Sequence, residues 1–281
     1  MGKEADKEVN ILKNIFFGLV SGLTGFLPVS ASAHENLYCI MTGMEKNALL
    51  MLFVHTGALI ALVVQYFKQL KHMQREMHIA GAKKHKRMRQ PDLAAVADVR
   101  MMMTAAVPII VGVLFGTRLS DEFGKLWIMS ILLIVNGVIL YALQFTPAGQ
   151  KDSRSMSPLD GVLYGICKAL SVLPGISGIV CVMFAGRSRG GERGYMLDLV
   201  MLLMIPWLLG CIVLDLIGIV AVSSFSLLNL VGAVLSAAAA FAGAYGAIAL
   251  MRYLAVRIDF HGFAYYSWGA GLACLILYLM I

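Results

Sequence analysis

Hydrophobic residues along this chain form long runs that short polar stretches interrupt. A helix needs about 18 or more apolar residues to cross the hydrocarbon core of a bilayer, which is about 30 Å thick. The pattern therefore predicts an all-α polytopic membrane protein with roughly eight to ten membrane-embedded segments. The apolar runs cover roughly residues 11–28, 31–44, 48–66, 101–118, 126–145, 159–173, 176–186, 196–222, 227–250 and 262–281.

Two of the apolar segments are short and broken by proline, glycine and serine, at Leu27–Ser30 and at Leu173–Ser177. Broken helices are tolerated at membrane depth only where the freed backbone groups face protein or a water-filled cavity. Because the two breaks resemble each other, they predict two inverted repeats with paired re-entrant segments, residues 1–150 and 151–281, within one integrated transmembrane domain. Two unrelated proline kinks remain the alternative.

The composition supports an integral membrane protein, since 59% of the residues are hydrophobic, 14% are charged and the mean hydropathy is +0.80. The net charge of +7 is concentrated in one segment. Residues 67–100 contain nine basic and three acidic residues, a net charge of +6. Between two apolar runs, such a segment predicts a cytoplasmic loop that touches anionic lipid headgroups rather than nucleic acid. The chain is thus expected to cross a membrane several times.

Several polar residues follow the first break or lie within otherwise apolar runs. Hydroxyls and an imidazole beside a helix break, where backbone N–H groups are free, can form an anion site. In membranes, however, Ser and Thr also bond helix carbonyls. His55 is expected to form a hydrogen bond between helices. The candidates near the first break are Thr24, Ser30, Ser32 and His34.

Lys168 lies inside an apolar run, with no acidic residue within four positions on either side. A lysine at that depth must reach the interface, pair with a carboxylate or face a cavity that holds an anion, and we favour the cavity. Arg187 follows in a glycine-rich loop with two further arginines. It either lies at a solvated interface or clamps a phosphate.

The segment from Ser21 to His34 resembles the first signature of the undecaprenyl pyrophosphate phosphatase (bacitracin-resistance) family, Glu-Gly-Leu-Thr-Glu-Phe-Leu-Pro-Val-Ser-Ser-Thr-Gly-His. Nine of the fourteen positions match. Residues 54–61 resemble the stretch that follows, and residues 173–177 resemble the start of the second signature, Pro-Gly-x-Ser-Arg-Ser. The resemblance implies two inverted repeats with paired re-entrant segments and, as substrate, the long-chain polyprenyl carrier of bacterial cell-wall synthesis. It also implies that the chain lies in the inner (plasma) membrane of a bacterial cell, as a multi-pass protein.

The chain departs from these signatures at reactive positions. Ser21 and Gly25 replace the two glutamates that the family implies in metal binding or proton transfer, and Gly178 replaces the arginine that holds the pyrophosphate. Their loss removes acid/base capacity and charge neutralisation. Lys168 replaces a residue that is usually glutamine in the family, which makes the site more positive and retains affinity for phosphate.

We therefore predict non-hydrolytic binding and translocation of polyprenyl phosphate. The first alternative is hydrolysis of the pyrophosphate, with His34 or Ser30 acting and Glu35 or Arg187 replacing lost groups; the second is a structural role in an envelope complex. No cofactor and no protein-bound metal are expected. The expected partners are a polyprenyl phosphate or pyrophosphate lipid and anionic membrane lipids but not nucleic acid, and a homodimer is left open. The residues predicted to bind phosphate are Thr24, Ser30, Ser32, His34, Lys168, Ser177 and Arg187.

Overall fold

The computed structural model describes residues 11–82, 89–147, 149–220, 227–257 and 260–280. Within these ranges the regular elements are helices, and single 3-10 turns occupy Ser153–Ser155 and Leu170–Val172. The α-helices are α1 (Ile11–Phe26), α2 (Ala31–Thr42), α3 (Ala48–Gly81), α4 (Leu93–Phe123), α5 (Leu126–Leu143), α6 (Pro158–Ala169), α7 (Gly178–Ser188), α8 (Arg193–Val220), α9 (Leu227–Arg257) and α10 (His261–Met280).

Six helices of the described chain are long and apolar enough to cross a membrane, namely α3, α4, α5, α8, α9 and α10. Their outward faces carry exposed apolar side chains, such as Val107, Leu114 and Ile217, as lipid contact requires. The prediction of an all-α polytopic membrane protein is confirmed. The other four helices, α1, α2, α6 and α7, are shorter, as the sequence predicts for the segments beside the two breaks.

The short helices form two pairs, α1 with α2 and α6 with α7, and each pair is separated by one of the predicted breaks. Pro28 and Pro174 lie in these breaks, where a helix could not continue past the missing N–H. The two breaks meet, because the Gly175 N–H donates a hydrogen bond of 2.8 Å to Ser30 Oγ. Ser30 and Ser177 are both buried. The two breaks therefore lie together, whereas re-entrance into the bilayer and the inverted repeats stay predictions.

The first helix of each pair packs closely on a long helix through glycine. On α1, a side chain at Gly18 or Gly22 would collide with the backbone of α9 at Ser236 or Ala240. On α6, a side chain at Gly165 would collide in the same way with α4. Small residues allow helix backbones to approach in a membrane, where van der Waals packing replaces the hydrophobic effect. These contacts hold the two breaks at a defined depth in the fold.

The basic segment of residues 67–100 is not the loop that the sequence predicts. Helix α3 continues to Gly81, and α4 begins at Leu93. The helix persists because Glu76, which is fully buried, receives hydrogen bonds from Arg75, Arg89 and the backbone N–H of Asp92. Within α3, His72 Nδ1 also lies 3.6 Å from Glu76 Oε1, four residues along, which is the spacing at which side-chain pairs stabilise a helix. Lys83, Lys84, Lys86 and Arg87, which contribute to the charge of this segment, lie outside the described residues.

A cysteine at Ala82 tests the predicted cytoplasmic position of the basic segment. We expect an impermeant thiol reagent added to intact cells to leave Ala82→Cys unlabelled, and to label it after permeabilisation. The matched variant is Glu45→Cys, just before α3, because that helix has 34 residues and is about 51 Å long. Glu45→Cys should be labelled in intact cells, and the parent chain measures labelling of its own cysteines. Labelling of Ala82→Cys from outside contradicts the topology.

Candidate functional site

A cavity of about 130 Å³ lies where the two breaks meet. Its walls come from both broken helix pairs and from α3 and α8. Apolar residues such as Phe26, Val54 and Leu208 form much of the wall. The polar residues that line it are Ser21, Ser32, Glu35, His55, Lys168, Ser171 and Ser177.

Lys168 is the buried cation of this cavity, with 3% of its surface exposed. Its Nζ donates a hydrogen bond of 2.9 Å to Ser171 Oγ and lies 4.3 Å from the ring centroid of Trp207. Among the described residues, no carboxylate pairs with it within 4.0 Å. A charged lysine at the centre of a membrane helix costs about 2.5–3.5 kcal/mol on insertion scales. An anion in the cavity would offset that cost.

The N-terminal ends of α2 and α7 both face the cavity. Ser32, in the first turn of α2, and Ser177 and Gly178, at the start of α7, contribute to the lining. Free backbone N–H groups and the helix dipole favour negative charge at such an end. The two helix ends, Lys168 and the serine hydroxyls together make the cavity suitable for a phosphate group.

Glu35 adds an acidic side chain to these anion-binding groups. It is buried, with 7% of its surface exposed. The Ser21 hydroxyl donates a hydrogen bond of 2.5 Å to Glu35 Oε1, and Lys46 Nζ lies 3.6 Å from Oε2. Glu35 is the acidic residue among those that line the cavity. The cavity therefore combines anion-binding groups with one carboxylate.

The structure brings together only part of the predicted site. Ser32, Lys168 and Ser177 line the cavity, and Ser30 lies next to it, with its Oγ 3.2 Å from Ser32 Oγ. Ser30 also caps α2 and accepts the Gly175 bond described above. Its hydroxyl is therefore engaged in joining the two breaks.

Besides Ser30, three further predicted residues are not part of the cavity lining. Thr24 Oγ1 donates to the Val20 carbonyl within α1, at 2.7 Å. His34 lies with Nδ1 2.6 Å from the Ser30 carbonyl and Nε2 2.7 Å from the Tyr266 hydroxyl, and its ring stacks on that tyrosine. Arg187 lies in a separate small pocket and donates to Thr146 Oγ1 at 3.4 Å.

Sequence reasoning missed the role of Asn136 and gave Glu35 only a substitute role. Asn136 is fully buried in α5, where its amide joins the two breaks. It donates to the Pro28 carbonyl at 3.4 Å and accepts from the Ser177 N–H at 2.9 Å. A polar residue within an apolar segment indicates a functional or structural role, and this signal could have identified Asn136 from the sequence. It also applies to Glu35, which follows His34. His55, by contrast, forms the predicted bond between helices, at 2.7 Å to Asp215.

The cavity lies far from the basic end of the molecule. His55 lies in the cavity wall, and the end of α3 at Gly81 is about 39 Å from it along the helix axis, at a rise of about 1.5 Å per residue. Metal-binding groups of three or more His, Cys, Asp or Glu residues do not occur in the part of the chain that the structure describes.

Comparison with known proteins identifies the family to which this chain belongs. Residues 14–273 match the family described as bacitracin resistance protein BacA. The chain belongs to the BacA family. A relative named undecaprenyl-diphosphatase from Methanobrevibacter smithii is 30% identical over 270 residues, which cover 94% of this chain and 96% of the relative. Another of that name, from Clavibacter michiganensis subsp. michiganensis, is 31% identical over 277 residues, covering 96% of this chain and 97% of the relative.

Membership of the BacA family confirms the resemblance found in the signature segments and, with the six apolar helices, a multi-pass protein of the inner membrane. Ser21, Gly25 and Gly178, which replace the two glutamates and the arginine of those signatures, all line the cavity. The departures therefore change the chemistry of one site rather than the fold around it.

Proposed function

We propose that this BacA-family protein binds a polyprenyl diphosphate in the cavity and hydrolyses it to polyprenyl phosphate and inorganic phosphate. The observation that carries the proposal is a buried lysine between two helix N-termini, in a cavity that also contains a carboxylate. Relatives that match nearly the whole chain are named undecaprenyl-diphosphatase, which supports the same reaction.

In this proposal Lys168 and the two helix ends neutralise the diphosphate, while Ser32 and Ser177 donate hydrogen bonds to its oxygens. Ser30 and His34 support the wall through the contacts described above, and Thr24 and Arg187 make no direct contact with the substrate. A single carboxylate with hydroxyls fits Mg²⁺ only if diphosphate oxygens and water complete its ligands. Such an ion would neutralise charge on the diphosphate.

The apolar part of the cavity wall and the lipid-exposed helices suit the prenyl chain. If the basic end of the molecule is cytoplasmic, the cavity, at the other end of α3, receives its lipid from the outer leaflet.

Contact of the basic end with anionic lipids and formation of a homodimer also remain proposals. The groove lined by Lys68, Lys71, His72 and Arg75 supports the lipid contact.

Non-hydrolytic binding and translocation, which the sequence favours, becomes the second candidate. Its specific support is the absence of both signature glutamates and the signature arginine from a cavity that still suits phosphate. The relatives' names favour hydrolysis instead. Glu35 in the cavity also provides a carboxylate, which weakens the argument that acid/base capacity has been lost.

Phosphate release by the purified protein distinguishes the two candidates. With undecaprenyl diphosphate in detergent or nanodiscs, we expect release of inorganic phosphate that depends on protein concentration, measured with and without Mg²⁺ and with a chelator. Binding of the lipid without release, together with transfer of polyprenyl phosphate across vesicles, would establish translocation. Absence of binding would contradict both candidates.

A further inference from the structure

Glu35 occupies the place of a carboxylate that this chain lacks. Position 21 on α1 carries glutamate in the family signature, whereas here it is serine, and its hydroxyl donates 2.5 Å to Glu35 Oε1 on α2. Both residues line the cavity. Ser32 and Glu35 are three residues apart in α2, so they share one face of that helix. In this chain, therefore, α2 supplies the carboxylate of this wall, and position 21 of α1 supplies a hydroxyl.

Burial of this carboxylate requires compensation, and its side chain has few polar contacts. An acidic side chain in a membrane segment is costly and is generally retained for a function. One hydrogen bond from Ser21 and the longer contact with Lys46 orient Glu35. A carboxylate with few donors and a place on the wall of a phosphate cavity can accept a proton at the reacting centre.

We propose that Glu35, positioned by Ser21, is the general base of the hydrolysis. The inference rests on the proposed function. A water molecule attacks the terminal phosphorus of the diphosphate, and Glu35 takes one of its protons as the new P–O bond forms. The bond from that phosphorus to the bridging oxygen breaks, so that polyprenyl phosphate leaves with the electron pair and inorganic phosphate remains. Glu35 then releases its proton to water, which restores the carboxylate.

His34 is less suitable as the base by position, because its two ring nitrogens lie at hydrogen-bond distance from Ser30 and Tyr266 and it is not part of the lining. His55 is the rival base, because it lines the cavity and Asp215 on α8 holds its Nδ1, as an aspartate does when it orients a histidine for proton transfer. The Glu35→Gln variant described below separates the two assignments, because it leaves His55 unchanged. Glu35 combines a position in the cavity wall with an ionisable oxygen beside a hydroxyl that orients it.

Glu35→Gln tests the assignment, with Glu45→Gln as the matched control at an exposed position. We expect Glu35→Gln to lower kcat about a hundredfold or more, the scale of general-base catalysis, while Glu45→Gln stays near the parent value. Binding of a non-hydrolysable diphosphonate analogue by Glu35→Gln should be unchanged or tighter, because a negative charge has been removed from the cavity. This binding also shows that the variant is folded.

Moving the carboxylate from α2 to α1 tests whether Glu35 acts as a base. If Glu35 had only a structural role, this move would not restore activity. The double variant Ser21→Glu, Glu35→Ser returns the carboxylate to α1, and we expect at least tenfold more activity than in Glu35→Gln. Parent activity with an equally active Glu35→Gln would overturn the inference and leave the proposed function standing. A double variant no more active than Glu35→Gln would overturn the claim that Glu35 takes the role of a carboxylate at position 21. An inactive parent would overturn the proposed function and the base assignment with it.

Discussion

Lys168→Met is expected to weaken binding of polyprenyl diphosphate at least tenfold, which corresponds to about 1.4 kcal/mol. The ammonium is 97% buried in a cavity whose other anion-binding groups are neutral hydroxyls and helix ends. Methionine has a similar length and no charge, so the variant removes the Coulombic attraction while it keeps most of the packing against Trp207. Equilibrium binding of the non-hydrolysable analogue in nanodiscs measures the effect.

The control for this variant is Lys71→Met, the same substitution at an exposed lysine of the basic end. It should bind the analogue like the parent, because solvent and salt screen a charge so far from the cavity. We also expect Lys168→Met to remain folded in detergent, since replacing a buried charge by an apolar group is often neutral or stabilising. Equal affinity of Lys168→Met and the parent would show that the lysine has no role in binding the anion.

Asn136→Leu is expected to lower the thermal stability of the protein more than other single changes in α5. The amide is fully buried and bonds Pro28 O, Ser177 N and Ser267 Oγ. Leucine has a similar size but leaves the carbonyl of one break and the N–H of the other without this partner. Each unsatisfied buried group costs about 1–3 kcal/mol, so the melting temperature in detergent should fall by at least about 5 °C.

Ser130→Ala is the matched control, because Ser130 is equally buried in α5 but donates only to the Trp127 carbonyl of its own helix. That change should have a small effect, since the carbonyl already belongs to the helix. Asn136→Leu should also lose affinity for the diphosphate analogue as the two breaks separate. An Asn136→Leu protein as stable as the Ser130→Ala protein would show that the amide does not hold the breaks together.

The sequence by itself determined the class of the molecule and the location of its breaks. Apolar runs as long as those of α5 and α8 have one stable arrangement, a helix across the bilayer, because every backbone group must be bonded within the segment. Pro28 and Pro174 exclude a continuous helix for a reason that is equally local. The signature between Ser21 and His34 was sufficient to recognise the family, since nine of its fourteen positions match within one short segment of the chain.

Only the tertiary structure decided which polar residues face the cavity. His34 and Glu35 are neighbours in α2, yet a helix turns by about 100° per residue, so Glu35 lines the cavity while His34 packs on Tyr266 of α10. The helical course of the basic segment depended on Glu76 and Arg89, partners thirteen residues apart. The link from Asn136 to both breaks depended on its contacts with Pro28 and Ser177, which are 108 and 41 positions away from it in the sequence. Such contacts have no local pattern, because the packing of separate helices sets them.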